Sequence, residues 1–216
     1  MNYLELTHKL IHISLTEPRL LFCYFKALLK GFGYIAYFRL FKPNIVIKFP
    51  FFVYYRLKIS GPGKVFINRG CSVYANSFDG LVITTLSRHA QVIIGKGCDL
   101  GGMTIRCSNR ISIGDFVMSA NCLLQDSLFA VRRQSDLKRA DQVEREKTSS
   151  SLSIGSRVWL TGQTILLAGT DIGDESVLGV GSLCFDRKIA KSHLAVGNPV
   201  VSSVSIERLE KMVSSG

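Results

Sequence analysis

The sequence predicts an all-β solenoid, a column of short parallel strands, with a helical segment before it and a short helix closing it. Three observations predict this. A six-residue period runs through the second half. Basic and aromatic residues crowd into the first 60 positions. Residues 205–214 carry the cap and spacing of one short helix.

The period is read from Ile154 in sixes: IGSRVW, LTGQTI, LLAGTD, IGDESV, LGVGSL, then Cys184. Ile154, Leu160, Leu166, Ile172 and Leu178 hold the first place; Val158, Thr164, Thr170, Ser176 and Ser182 hold the fifth. A helix requires apolar residues three and four apart, and a lone strand alternates strictly. Period six fits a coil of three short strands, with the aliphatic residue on the axis and the small or β-branched one at a tight corner.

The front of the chain is different material. Its first 60 residues hold nine Lys and Arg against Glu5 and Glu17, and so most of the net charge of +11. Fourteen aromatic residues lie there too. The stretch RLLFCYFKALLKGFGYIAYFRLF (19–41) is broken by Lys26, Lys30 and Arg39, short of the roughly 18 uninterrupted apolar residues expected of a membrane span. Arg19, Lys26 and Lys30 share one helix face, and leucines and aromatics cover the rest. Two readings follow for residues 1–42. The helix lies in the headgroup layer of an anionic membrane, or it packs on the body or on a partner subunit with its lysines reaching to water. No nucleic-acid motif accompanies the charge, so nucleic acid is excluded as the expected partner.

From Lys58 the chain reads as strands and turns, with Asn68, Gly70, Asn76 and Gly80 as turn residues. The sixfold rhythm enters at Ile94 (IGKGCD) and Ile113 (IGDFVM). The expected organisation is a basic, aromatic segment over 1–57, a β-helix over 58–204 with a protruding loop at 125–152, and a helix and tail over 205–216. Ser205 is the expected N-cap. The six cysteines form no CxxC and sit beside no paired histidines, so they read as reduced, buried thiols of a cytoplasmic protein. No secretory signal is legible at the N-terminus. His8 and His12 share a helix face without a third ligand, and no metal site is expected.

Residues 94–201 resemble the hexapeptide-repeat acyltransferases, and within them the sugar O-acetyltransferases of the maltose, galactoside and xenobiotic type. The run IGSRVWLTGQTILLAGTDIGDESVLGVGSL and the closing AVGNP (195–199) carry the likeness. It implies a left-handed parallel β-helix and a homotrimer with clefts between neighbours. Acetyl-CoA would lie along the coils, and a loop histidine would deprotonate an acceptor hydroxyl of a bacterial surface polysaccharide or lipid-linked sugar. Carried onto this chain, it implies acetyl-CoA contacts at Thr161, Gly162, Gly179, Gly181, Arg187 and Lys188. It also implies an acceptor cleft at Asn121, Ser127 and Trp159, and an oxyanion donor at the corner of Thr161 and Gly162.

The sequence departs from that pattern twice. Asp126 and Ser127 match the root of the catalytic loop, but Leu128 replaces its second acid and Ala130 stands where the histidine belongs. Phe185 and Asp186 fill places usually held by Thr and a basic residue. His89 is the candidate substitute base, against its reading as an exposed turn residue. Asp126 is either a weak second candidate or a cap at the loop root. His193 reads as a surface residue of the last coil. Two functions stay open: an acetyl-CoA-dependent O-acetyltransferase peripheral to the inner face of the cytoplasmic membrane, or a silent trimeric relative that binds a partner, glycan or membrane.

Overall fold

A computed structural model describes residues 18–74, 80–127 and 151–214. Helix α1 (Pro18–Phe41) leads into six three-stranded coils of a parallel left-handed β-helix and a partial seventh. The coils are β1–β3 (Ile45–Ile47, Phe51–Val53, Leu57–Ser60), β4–β6 (Lys64–Ile67, Cys71–Val73, Leu81–Thr85), β7–β9 (Gln91–Ile94, Asp99–Gly101, Thr104–Cys107) and β10–β12 (Arg110–Ile113, Met118–Ala120, Leu123–Gln125). After the loop come β13–β15 (Leu152–Ile154, Trp159–Leu160, Ile165–Leu166) and β16–β18 (Asp171–Ile172, Val177–Leu178, Leu183–Cys184). The last coil holds β19 (Lys188–Ile189) and β20 (His193–Ala195), and β21 (Ser203–Ser205) folds back antiparallel on β20 before helix α2 (Ile206–Ser214).

Every third strand stacks on the last, which makes three sheets: a first from β1 to β19, a second from β2 to β20, and a third from β3 to β18. Corresponding residues superpose from coil to coil, as Ile113, Ile154, Ile172 and Ile189 do in the first sheet. The core is this inward ladder, buried from Phe51 to Ala195. Polar corner residues are buried with it because they serve the backbone. The hydroxyls of Thr164, Thr170 and Ser176 donate to the carbonyls of Thr161, Cys184 and Ala190 at 2.7, 3.2 and 2.9 Å.

The glycine that follows Ile94, Ile113, Ile154 and Ile172 has a steric cause. A Cβ on Gly95, Gly114 or Gly173 would come within 2.4–2.6 Å of backbone in the next coil. The same edge, between the first and second sheets, also carries left-handed residues: Phe116, Arg157, Glu175 and Ser192, at φ of 56°, 56°, 60° and 56°. Each gives its N–H to a carbonyl one coil back, Phe116 to Lys96 and Arg157 to Asp115, both at 2.8 Å. Those bonds offset the strain of about 1 kcal/mol or more per residue.

The column starts earlier than residue 58, where the sequence placed its boundary. Ile45, Val46 and Ile47 pair in register with Val65, Phe66 and Ile67, and residues 42–57 belong to the first coil. The edge glycine is missing there: Lys48 holds its place, and Phe49 and Pro50 fill the rest of the corner, which is why the rhythm was not legible. Residues 1–17 lie outside the described residues.

Helix α1 covers the open N-terminal end. Ala27 and Phe38 are buried, Tyr34 and Ile35 pack on the core, and the Tyr24 ring lies 4.6 Å from that of Phe52. Gly31 meets the backbone of Phe51 so closely that a Cβ would fall 1.8 Å from its carbonyl oxygen. The Lys30 and Lys42 ammonium groups donate to the carbonyls of Tyr55 and Ile59. By length and composition Arg19–Phe41 is apolar enough to cross a membrane, with a mean hydropathy of 1.2. Here it is held against the first coil instead. At the other end Ser205 caps α2 as expected, its Oγ accepting from the Arg208 N–H at 3.3 Å.

Candidate functional site

The loop leaves the column after β12, at the edge between the third and first sheets. Asp126 stands at its root and is 0% exposed. One carboxylate oxygen accepts from the Ser108 N–H at 2.6 Å; the other accepts from the Asn109 N–H at 2.7 Å and the Cys107 thiol at 3.3 Å. Burial, then the neighbouring carboxylate, pushes the Cys107 thiol well above its ordinary pKa. Asp126 therefore holds the corner of the preceding coil, and its oxygens do not face an acceptor. Gln125 donates to the Ser127 carbonyl at 2.7 Å and fixes the chain's exit. Ser127 Oγ is buried and has no partner among the described residues. Leu128 and Ala130 lie outside the described residues.

His89 sits on this same edge, in the turn between β6 and β7, two rungs below the loop root. At the usual strand spacing that is about 10 Å along the axis. It is exposed, and its N–H donates to Ser87 Oγ at 3.0 Å. Arg187 and Lys188 reach the same edge from the far side. Both are exposed, and Arg187 Nε donates to the Val200 carbonyl at 3.3 Å. Phe185 is exposed beside them. His193 is half-buried, its Nδ1 2.8 Å from the Lys191 carbonyl oxygen.

The remaining candidates collect on a different edge, between the second and third sheets. Asn121, Thr161–Gly162 and Gly179–Gly181 stack there on successive coils. The Thr161 N–H and hydroxyl both donate to the Leu178 carbonyl, at 3.1 and 2.6 Å, so that amide is committed to the column. Gly162 uses only its carbonyl, which accepts from the Gly181 N–H at 2.9 Å. Its own N–H makes no hydrogen bond among the described residues. Space lies open at both glycines: a Cβ on Gly181 would meet nothing within 4 Å, and one on Gly162 only the Ala120 carbonyl oxygen at 4.0 Å. Gly179 is closed, since a Cβ there would meet Val196 at 2.7 Å.

One rung below Gly162, Asn121 holds a left-handed backbone (φ 55°), and its buried Oδ1 has no partner among the described residues. Trp159 is half exposed on the second sheet, in register with exposed Met118. The edge thus combines a smooth glycine track, one uncommitted amide donor, one orphaned acceptor and an aromatic wall. That set suits a narrow extended ligand with a polar reacting end. The resemblance implied an acceptor cleft of Asn121, Ser127 and Trp159 and a cofactor track of Thr161, Gly162, Gly179, Gly181, Arg187 and Lys188; Asn121, Thr161, Gly162, Gly179 and Gly181 share this edge, with Trp159 on the adjoining strand. It did not separate them from His89, Asp126, Ser127, Arg187 and Lys188, which the winding puts on another edge. Among the described residues no cluster of His, Cys, Asp and Glu is arranged for a metal.

The coils define the fold: a left-handed parallel β-helix, the fold also found in the hexapeptide-repeat acyltransferases. No family model and no curated protein matches the chain. Solved structures do. A mutant of AntD, an N-acyltransferase from Bacillus cereus in complex with dTDP and coenzyme A, superposes with a TM-score of 0.51 at 13% identity, over 77% of this chain and 88% of that one. The polySia-specific acetyltransferase NeuO gives 0.48 at 17% identity over 74% and 70%. A maltose O-acetyltransferase from Clostridium difficile 630 gives 0.40 at 22% identity over 61% and 67%. The likeness to AntD is one of fold.

Proposed function

We propose that the protein transfers an acetyl group from acetyl-CoA to a sugar hydroxyl, in a surface polysaccharide or a lipid-linked precursor. The observation that carries this reading is the glycine track ending at the free Gly162 N–H. An extended pantetheine-like chain fits over Gly181 and Gly162, where no side chain intrudes. The acceptor oxygen attacks the thioester carbonyl carbon; the new C–O bond forms and the C–S bond breaks, releasing CoA as its thiol once protonated. In this reading the Gly162 N–H serves the oxyanion that develops, and Asn121, one rung below, borders the acceptor. The hydroxyl proton needs a base tuned near neutral pH. His89 is the exposed imidazole on the loop edge.

The surface supports a trimer as part of this reading. Met118, Trp159 and Val177 face outward on the second sheet, and Leu123, Ile165 and Leu183 on the third. These apolar columns meet at the glycine edge. A neighbouring copy packed there would cover them and bring its own loop edge to this track. The buried, unpaired thiols support a reducing, cytoplasmic location.

The test is calorimetry with acetyl-CoA, with desulfo-CoA as comparison. Micromolar binding supports the reading, and no binding at millimolar ligand overturns it. A second reading, a silent relative, is favoured by Ala130 and by the commitment of Asp126 to the corner. Restoring Leu128→Asp with Ala130→His should raise acetyl transfer by about 10²- to 10⁴-fold, the usual contribution of a general base. No gain in a variant that still binds acetyl-CoA would favour the silent reading.

A further inference from the structure

The charge of this molecule is polarised along its axis. Residues 18–107, which form α1 and the first three coils, hold thirteen Lys and Arg against Asp79 and Asp99. The later described stretches, 108–127 and 151–214, hold seven against eight acidic residues. The basic end is also the apolar one. α1 faces the column with Ala27, Gly31, Tyr34, Ile35 and Phe38, so its opposite face points away from the molecule. Phe22, Phe25, Leu29, Phe32 and Leu40 lie along that outer face at helical spacing, each more than half exposed. Arg19 and Lys26 flank them and are exposed.

A basic ladder rises from the same end. Lys48, Arg69 and Lys96 stand on one edge of three successive coils and line an open cleft with Phe49, Asn68 and Asp115. Arg69 and Lys96 are in register about 5 Å apart, with Lys48 one residue out of register on the rung below, and these like charges repel one another. Only Asp115 opposes them in the cleft, 3.6 Å from the Lys96 ammonium.

We propose that this end of the solenoid docks on an anionic lipid bilayer, with α1 flat in the interface and the axis of the column upright. The outer aromatics enter the acyl boundary, while Arg19, Lys26 and the lower rungs of the ladder meet headgroup phosphates. The headgroup layer is roughly 5–8 Å deep per leaflet, which spans the rise from Lys48 to Arg69. A second copy is disfavoured as occupant, because it would set two strongly basic ends against each other. α1 does not cross the membrane, because its inner face closes the core. The inference stands apart from acyl transfer, and its test uses no acetyl-CoA.

The experiment is co-sedimentation of the full chain with phosphatidylcholine vesicles, with or without about one third phosphatidylglycerol. Binding should be at least tenfold stronger with the anionic lipid and should fall with added salt. Replacing Arg19→Gln with Lys26→Gln should lower it about 30-fold, from about 1 kcal/mol per charge. The triple change Phe22→Ser, Phe25→Ser, Phe32→Ser should lower it at least as far, with the melting temperature unchanged because these side chains touch no core. Equal binding to neutral and anionic vesicles would overturn the proposal, as would no binding at all. Resistance to a carbonate wash would replace flat docking by a membrane span. Self-association abolished by the triple change, without lipid binding, would give the face to a second copy.

Discussion

Asp126 is the residue on which sequence and structure bear most directly. Its position at the root of a long loop suggests chemistry, but its two oxygens hold the amides of Ser108 and Asn109. Asp126→Ala would leave both amides unpaired at a buried corner. At about 1–3 kcal/mol for each lost bond, the melting temperature should fall on the order of 5–10 °C. Asp126→Asn, which keeps one acceptor oxygen, should lose about half of that. An unchanged melt for the alanine variant would show that the corner does not depend on this carboxylate. The corner glycines differ in kind. Gly114 is required by the next coil's backbone, whereas Gly162 stands in open space and is free to serve a ligand.

At the scale of elements, α1 and the glycine edge each make a sharp expectation. Gly31 lets α1 seat on Phe51, and Gly31→Ala would drive a Cβ into its carbonyl. The helix must then shift, at a cost of about 1–3 kcal/mol. Limited proteolysis within 18–41 should quicken and the melting temperature should drop. Gly162→Val places a branched side chain on the track, its Cβ meeting only the Ala120 carbonyl oxygen at 4.0 Å. Acetyl-CoA affinity should fall at least about tenfold, roughly 1.4 kcal/mol, while the melt is unchanged. Wild-type affinity in that variant would move the acyl-CoA site off this edge. Of these elements, the later coils were legible because glycine and an inward aliphatic recur every six residues. The first coil was not, because Phe49 and Pro50 occupy its corner.

For the whole molecule, the column buries Cys71, Cys98, Cys107, Cys122 and Cys184 and leaves Cys23 exposed on α1. Burial pushes the Cys122 thiol up and that of Cys184 up to about 11. A raised thiol pKa keeps the unreactive protonated form at Cys98, Cys107, Cys122 and Cys184, whereas the Cys71 thiol, lowered by its hydrogen bond with Cys98, is shielded by burial alone. Native labelling should therefore modify one thiol, Cys23, at pH 7 and still one at pH 9, and all six after unfolding. Several fast thiols in the native protein would contradict a closed column.

The sequence alone determined the strand period, the inward ladder from Ile154 to Cys184, the α2 cap and the basic, aromatic front. Each is a local pattern, set by which residue a corner, an axis or a helix start accepts. The tertiary structure alone decided which edge each corner joins, because that depends on winding three strands per coil. That count places Gly162 beside Asn121 and Gly181, and puts His89 on the edge of the loop. It also decided which side of α1 the column covers. No local pattern in α1 distinguishes Phe38, buried on the core, from Phe32, which faces outward.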